Sequence, residues 1–173
     1  MVLVLLLASM GAASSVSGEQ PSTDQVKAAF LYNFAKFVEW PPGTFDQNRA
    51  VIYLGILAKE PLAGAIESLQ GKEVHGRKLM VRRCHGLDDV KKCHIFFASA
   101  SEKRDLAGIM GSLRGQPLLT VFDELDDFAK IGGIINLTIA EDKIRFSISL
   151  NNAEKSGLKI SSQLLKLAIR VSN

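Results

Sequence analysis

Cysteine is nearly absent from this chain. It has two in 173 residues, Cys84 and Cys93, alongside three histidines, one tryptophan and five prolines. Two cysteines exclude the disulfide-dense framework of small secreted scaffolds. A chain of this length that is 47% hydrophobic builds a single-domain core without one. Three histidines with no His-Glu-x-x-His exclude the common zinc-protease helix. No glycine-rich phosphate loop of the dinucleotide or P-loop type is present, and "LGILAKEPLAG" carries Pro61 and bulky residues where the glycines would stand. No Gly-x-Ser-x-Gly elbow exists, and Ser112 in "GIMGSLRG" reads as a solvated helix serine. Strong charge is missing as well. The net charge is +3, and the basic doublets Arg77–Lys78, Arg82–Arg83 and Lys91–Lys92 are scattered rather than striped with aromatics, which argues against nucleic acid as a partner. No stretch after the N-terminus has the 18 or so uncharged apolar residues of a membrane span.

What is present begins with Val2–Ala8, an apolar run too short to cross a bilayer and followed by small residues. It reads as the core of a secretory signal over residues 1–18, with Val16 and Gly18 at the cleavage positions. No Lys or Arg precedes the run, so the signal is either weak or preceded by further residues. Residues 19–173 then form one exported domain. No cysteine follows the run to carry a lipid anchor.

From there the pattern alternates. Ser22 and Gln25 have capping-box spacing at the start of an amphipathic helix of about four turns. Val26, Ala29, Phe30, Asn33, Phe34, Phe37 and Val38 form its expected apolar face, and Pro41–Pro42 its stop. "VIYLGILA" reads as a strand buried on both faces, "PLAGAIESL" as a helix, "KLMVRRC" and "CHIFFAS" as strands. "SEKRDLAGIMGSLRG" is expected as a helix, "PLLTVF" as a strand, and "DELDDFAKIGG" as a short helix capped by Asp123. "IINLTIAEDKIRFSISL" is a hairpin turning at Ala140–Lys143. "NNAEKSG" and "SSQLLKLAIRVS" are expected to close the chain as helices. The fold class is α/β: a single Rossmann-like domain with a mostly parallel sheet, a C-terminal antiparallel hairpin and flanking helices.

Three clusters deserve weighing as chemistry. Asp123, Glu124, Asp126 and Asp127 follow a strand end, where parallel sheets often place functional carboxylates. The first turn of a helix also favours acids, and capping is the preferred reading over a metal or hydrolytic site. Cys84, His85, Cys93 and His94 resemble a ligand set, but adjacent strand residues point to opposite faces and the spacing lacks the usual interval between paired ligands. A Cys84–Cys93 disulfide is the preferred reading, worth a little under ~3 kcal/mol for so short a loop, with reduced buried thiols as the alternative. It assumes that the two cysteine-bearing strands are neighbours. In "FLYNFAKFVEWPP" most aromatics read as core, while Phe37, Trp40 and Pro41 form an apolar ridge suited to a partner contact.

"VKAAFLYNFAKFVEWP", "GKEVHGRKLMVRRC", "CHIFFAS" and the long closing segment from Gly115 to Ala168 resemble the YfiR family in matching order, from about Asp24 to Ala168. The Trp-Pro after the first helix, the Gly-Gly-x-Ile-Asn segment and "NNAEKSGLKISSQLLKLA" carry the likeness. The resemblance implies a non-enzymatic periplasmic protein without a cofactor. It implies repression of an inner-membrane diguanylate cyclase through the cyclase's periplasmic sensor region, which lowers cyclic di-GMP and restrains biofilm formation. An outer-membrane lipoprotein is a possible second partner and a homodimer a possible assembly. Redox sensitivity in some relatives carries over only to Cys84 and Cys93. The namesake's basic residues near Trp-Pro are replaced by Glu39, and the closing segment offers Lys159 with Ser161 and Ser162 for a small anion, against a plain helix cap. The alternative function is a periplasmic small-molecule-sensing module acting through a sensor kinase or transporter.

Overall fold

The first helix, α1 (Thr23–Lys36), starts at the expected capping box. Ser22 Oγ accepts from the Gln25 amide at 3.2 Å, and Gln25 Oε1 accepts from the Ser22 amide at 2.7 Å. These coordinates, a computed structural model, describe residues 20–45, 50–102 and 106–172, so the expected signal over 1–18 lies outside the described residues. The face that α1 buries differs from the expected one. Lys27, Ala28, Leu31, Phe34 and Ala35 are buried, whereas Ala29 and Asn33 are exposed and Val26 and Phe30 are half-buried. The stripe is rotated because a lysine is admitted to it. Lys27 Nζ lies 2.8 Å from Oδ1 and 2.9 Å from Oδ2 of Asp123, and both side chains are almost wholly enclosed. A charge enters a core only with such a partner, and removing one member leaves the other stranded at a cost of about 3–5 kcal/mol. The helix also ends sooner than Pro41. Phe37 is its C-cap, and Val38–Glu39 is a two-residue strand, β1.

The chain continues through β2 (Val51–Leu57), α2 (Leu62–Glu67), β3 (Glu73–Val74), β4 (Arg77–Arg83), α3 (Leu87–Val90) and β5 (Ile95–Ser99). A 3₁₀ turn (Ala100–Glu102), α4 (Leu106–Ser112), β6 (Leu119–Asp123), β7 (Ile135–Ala140) and β8 (Lys143–Ser149) follow. Then come α5 (Leu150–Lys155), β9 (Lys159–Ile160), α6 (Ser162–Leu167) and β10 (Arg170–Ser172). Eight strands form one sheet in the order β10-β8-β7-β6-β5-β2-β4-β3. From β4 to β7 every pairing is parallel, while the β7–β8 hairpin and the short β3–β4 pair are antiparallel. This is the α/β fold with a mostly parallel sheet and a C-terminal hairpin that the alternation of runs predicts. Two buried clusters lie on its faces: one gathers α1, α2, α5 and α6 residues such as Phe34, Ile66, Ala153 and Leu164, the other gathers Val90, Leu106, Ile109 and Phe122.

Three expectations need correction. Residues 124–133 form successive turns, not a helix, and Asp123 is the last residue of β6. Distant side chains take over the backbone groups that a helix would have used. Asn136 Oδ1 accepts from the Leu125 amide at 3.1 Å, Thr120 Oγ1 accepts from the Ile134 amide at 2.9 Å, and Asn152 Nδ2 donates to the Ala129 and Gly133 carbonyls at 2.8 Å each. Gly133 is required there, since a Cβ would stand 2.6 Å from the Phe122 ring. The last helix stops at Leu167, and the closing residues return to the sheet as β10, parallel to β8. Finally, the strands bearing the two cysteines are not neighbours, because β2 runs between β4 and β5.

Candidate functional site

Beyond α1 the chain doubles back as β1 and pairs antiparallel with β9, Val38 opposite Ile160 and Glu39 opposite Lys159. This places Trp40 and Pro41 at a tip beside the sheet. Pro41 packs where a Cβ on Gly157 would lie, at 3.4 Å, so the tip rests on the turn between α5 and β9. Phe37 and Trp40 are half-buried and lean on the core below. The Trp40 indole N–H is enclosed and has no hydrogen-bond acceptor among the described residues. Of the three expected contact residues, Trp40 and Pro41 form the tip itself, and Phe37 caps the helix at its base.

Phe45 and His94 join this tip and were not foreseen. The Trp40 and Phe45 rings meet edge-on at 5.5 Å, Phe45 packs on His94 at 4.8 Å, and His94 stacks on Tyr53 of β2 at 5.8 Å. Arg77 lies over the Phe45 ring at 4.5 Å and Arg82 over Tyr53 at 4.1 Å. The tautomer of His94 follows from its partners. Nδ1 accepts the Tyr53 amide at 3.0 Å, which leaves that nitrogen without a proton and so requires the neutral ring. Burial pushes its pKa below the usual 6.5, opposed by the Thr44 carbonyl and reinforced by Arg77 and Arg82. His94 therefore ties the Thr44–Phe45 segment to the sheet.

Cys84 and Cys93 meet across the middle strand. β4 and β5 flank β2, and both sulfurs reach over it at Gly55: each lies 2.6 Å from where a Gly55 Cβ would stand. The two sulfurs are thus separated by at most twice that distance. Both are thiols in this structure. The facing thiol is the main influence on each, holding Cys84 protonated far above its usual range and drawing Cys93, whose Sγ lies 3.3 Å from the Asp89 carbonyl, below it. Arg82 adds to the second effect. A strand-interior glycine often marks such a close approach, and Gly55 in "VIYLGILA" is the sequence signal that was available.

The remaining candidates are placed as follows. Ser161 is the N-cap of α6, its Oγ accepting from the Leu164 amide at 3.2 Å, and Ser162 is the first helical residue. Lys159 faces Glu39 across the β1–β9 ladder. Asp123 is committed to Lys27, while Glu124 Oε1 accepts from the Ile139 amide at 2.8 Å. Arg83 pairs with Glu60 and Glu67. At the head of α2, where a phosphate loop would receive its anion, Glu60 Oε2 already accepts the Gly64 amide at 3.0 Å. Among the described residues no cluster of three or more His, Cys, Asp or Glu is placed to hold a metal ion, and no helix is long and apolar enough to cross a membrane.

The fold and these placements define a Rossmann-like α/β domain that carries an aromatic tip and a facing thiol pair. The sequence matches the YfiR/HmsC-like family over residues 24–169, and the chain belongs to that family. The family is one of periplasmic regulatory proteins rather than catalysts. Among solved structures the chain is similar to a conserved domain protein from Vibrio cholerae O1 biovar El Tor, with a TM-score of 0.56 and 13% identity. The match covers 87% of this chain and 60% of that one, so this chain spans about three fifths of the length of the solved chain. At such identity the likeness speaks to the fold.

Proposed function

We propose that this protein represses an inner-membrane diguanylate cyclase by docking on the cyclase's periplasmic sensor region, with Trp40 and Pro41 at the centre of the contact and Phe37 at its edge. The family match over residues 24–169 is the observation that carries this reading. The tip adds support, because the half-buried Trp40 and the neighbouring Pro41 offer apolar area to an incoming surface. Docking represses only if the inactive arrangement of the sensor binds more tightly. Driving a two-state cyclase from almost fully on to almost fully off takes about 5.5 kcal/mol of preference. In the same reading, export to the periplasm places Cys84 and Cys93 in an oxidising compartment, where they close into a bridge over Gly55. Deleting the chromosomal copy is expected to raise cellular cyclic di-GMP, and the Trp40→Ala protein is expected not to restore it. Unchanged cyclic di-GMP in the deletion strain, with the cyclase intact, would overturn the reading.

A further inference from the structure

A hollow of ≈ 580 Å³ lies between the end of α4, the 129–132 turns and α5. Its volume is in the range of small-ligand sites. The floor is apolar: Met110, Leu113 and Leu118 line it, and all three are buried. The rim carries Arg114, Lys130 and Lys155, and no acidic side chain lines the hollow. Lys130 pairs with Asp127 outside the lining at 2.8 Å, whereas Arg114 and Lys155 have no carboxylate partner among the described residues. The wall is fixed in place, since Asn152 of α5 holds the opposite turns through the Ala129 and Gly133 carbonyls. Two unpaired cations over an apolar floor, with no acid in the lining, form a concave site of one sign, which focuses the field on an anion.

We propose that this hollow binds a small organic anion with an apolar body, the acid group held between Arg114 and Lys155 and the body on Met110, Leu113 and Leu118. The hollow shares no lining residue with the docking tip, so the two readings are tested by different substitutions. The probe is 8-anilinonaphthalene-1-sulfonate, an anion on two apolar ring systems, followed by fluorescence titration and by amide chemical-shift mapping of the labelled protein. The expected result is saturable 1:1 binding, with shifts centred on residues 113–118, 129–132 and 151–156. The doubly reversed variant Arg114→Glu/Lys155→Glu, both positions being exposed, should keep its folded amide spectrum and bind roughly tenfold or more weakly. It should bind the uncharged analogue N-phenyl-1-naphthylamine as well as the parent does. Shifts centred elsewhere, no saturable binding, or equal affinity of parent and variant for the sulfonate would each overturn the proposal.

Discussion

Gly55 decides whether the thiols can meet. Its absent side chain leaves the gap over β2 into which both sulfurs project, and neither cysteine has a long flexible end that could swing away. Gly55→Ala puts a methyl 2.6 Å from each sulfur, so the sheet or both cysteines must shift. Overpacking of this kind costs about 1–3 kcal/mol. The expected outcome is an unfolding free energy from urea titration lowered by that amount and a slower closure of the Cys84–Cys93 bridge under oxidant, read by the mass of alkylated protein. Parent-like stability and parent-like closure would contradict the placement of the sulfurs. The glycine was visible in the sequence as an interruption of a β-branched run. Its purpose was not, because the order in which β4, β2 and β5 line up is set by crossovers far apart in the chain. The premise that adjacent cysteine-bearing strands would pair was therefore wrong, although the closeness of the two cysteines follows from another cause.

At the scale of elements, runs and caps were legible and long-range side-chain contacts were not. Every main strand from Val51 to Ser149 follows from an apolar run or an alternating one, and the Ser22 and Ser161 caps follow from residue type and spacing. Residues 124–133 misled because their acidic start and paired glycines match a capped helix, while the bonds that hold them as turns come from Thr120, Asn136 and Asn152. The rotated face of α1 misled for a related reason: nothing near Lys27 in the sequence announces Asp123 as its partner. The tip belongs to this scale too, since it is an element held by β1–β9 pairing on one side and by His94 on the other. Protonating His94 removes the acceptor for the Tyr53 amide and adds a cation facing Arg77 and Arg82, with Tyr53, Phe45 and Thr44 as its other neighbours. Its folded pKa lies below the unfolded value of about 6.5, so the unfolded chain takes up the proton first. The stability this histidine confers is whole above that value and is lost as pH falls below it, at a slope of at most about 1.4 kcal/mol per pH unit. Urea unfolding at pH 7.5 and 5.5 is expected to show a larger loss for the parent than for His94→Asn. Equal losses would contradict the neutral ring held by the Tyr53 amide.

Across the whole molecule, two buried clusters on the faces of one sheet make a rigid body, and its distinctive features lie at separate places on that body. The thiol pair lies against the second cluster, with the basic hollow on its own cradle of α4, α5 and turns and the aromatic tip alongside β9. Of the carboxylates that the sequence offered for catalysis, Asp123 is engaged by Lys27 and Glu124 by the backbone. The central claim is that the tip engages a membrane-bound cyclase. The most direct test is affinity capture from detergent-solubilised membranes with the mature parent protein and with Trp40→Ala, each with and without reductant, read by mass spectrometry. The account predicts that the oxidised parent recovers a membrane protein with a cytoplasmic diguanylate cyclase domain and that Trp40→Ala, equally folded, recovers little of it. Equal recovery by both proteins, or no cyclase with either, would contradict it.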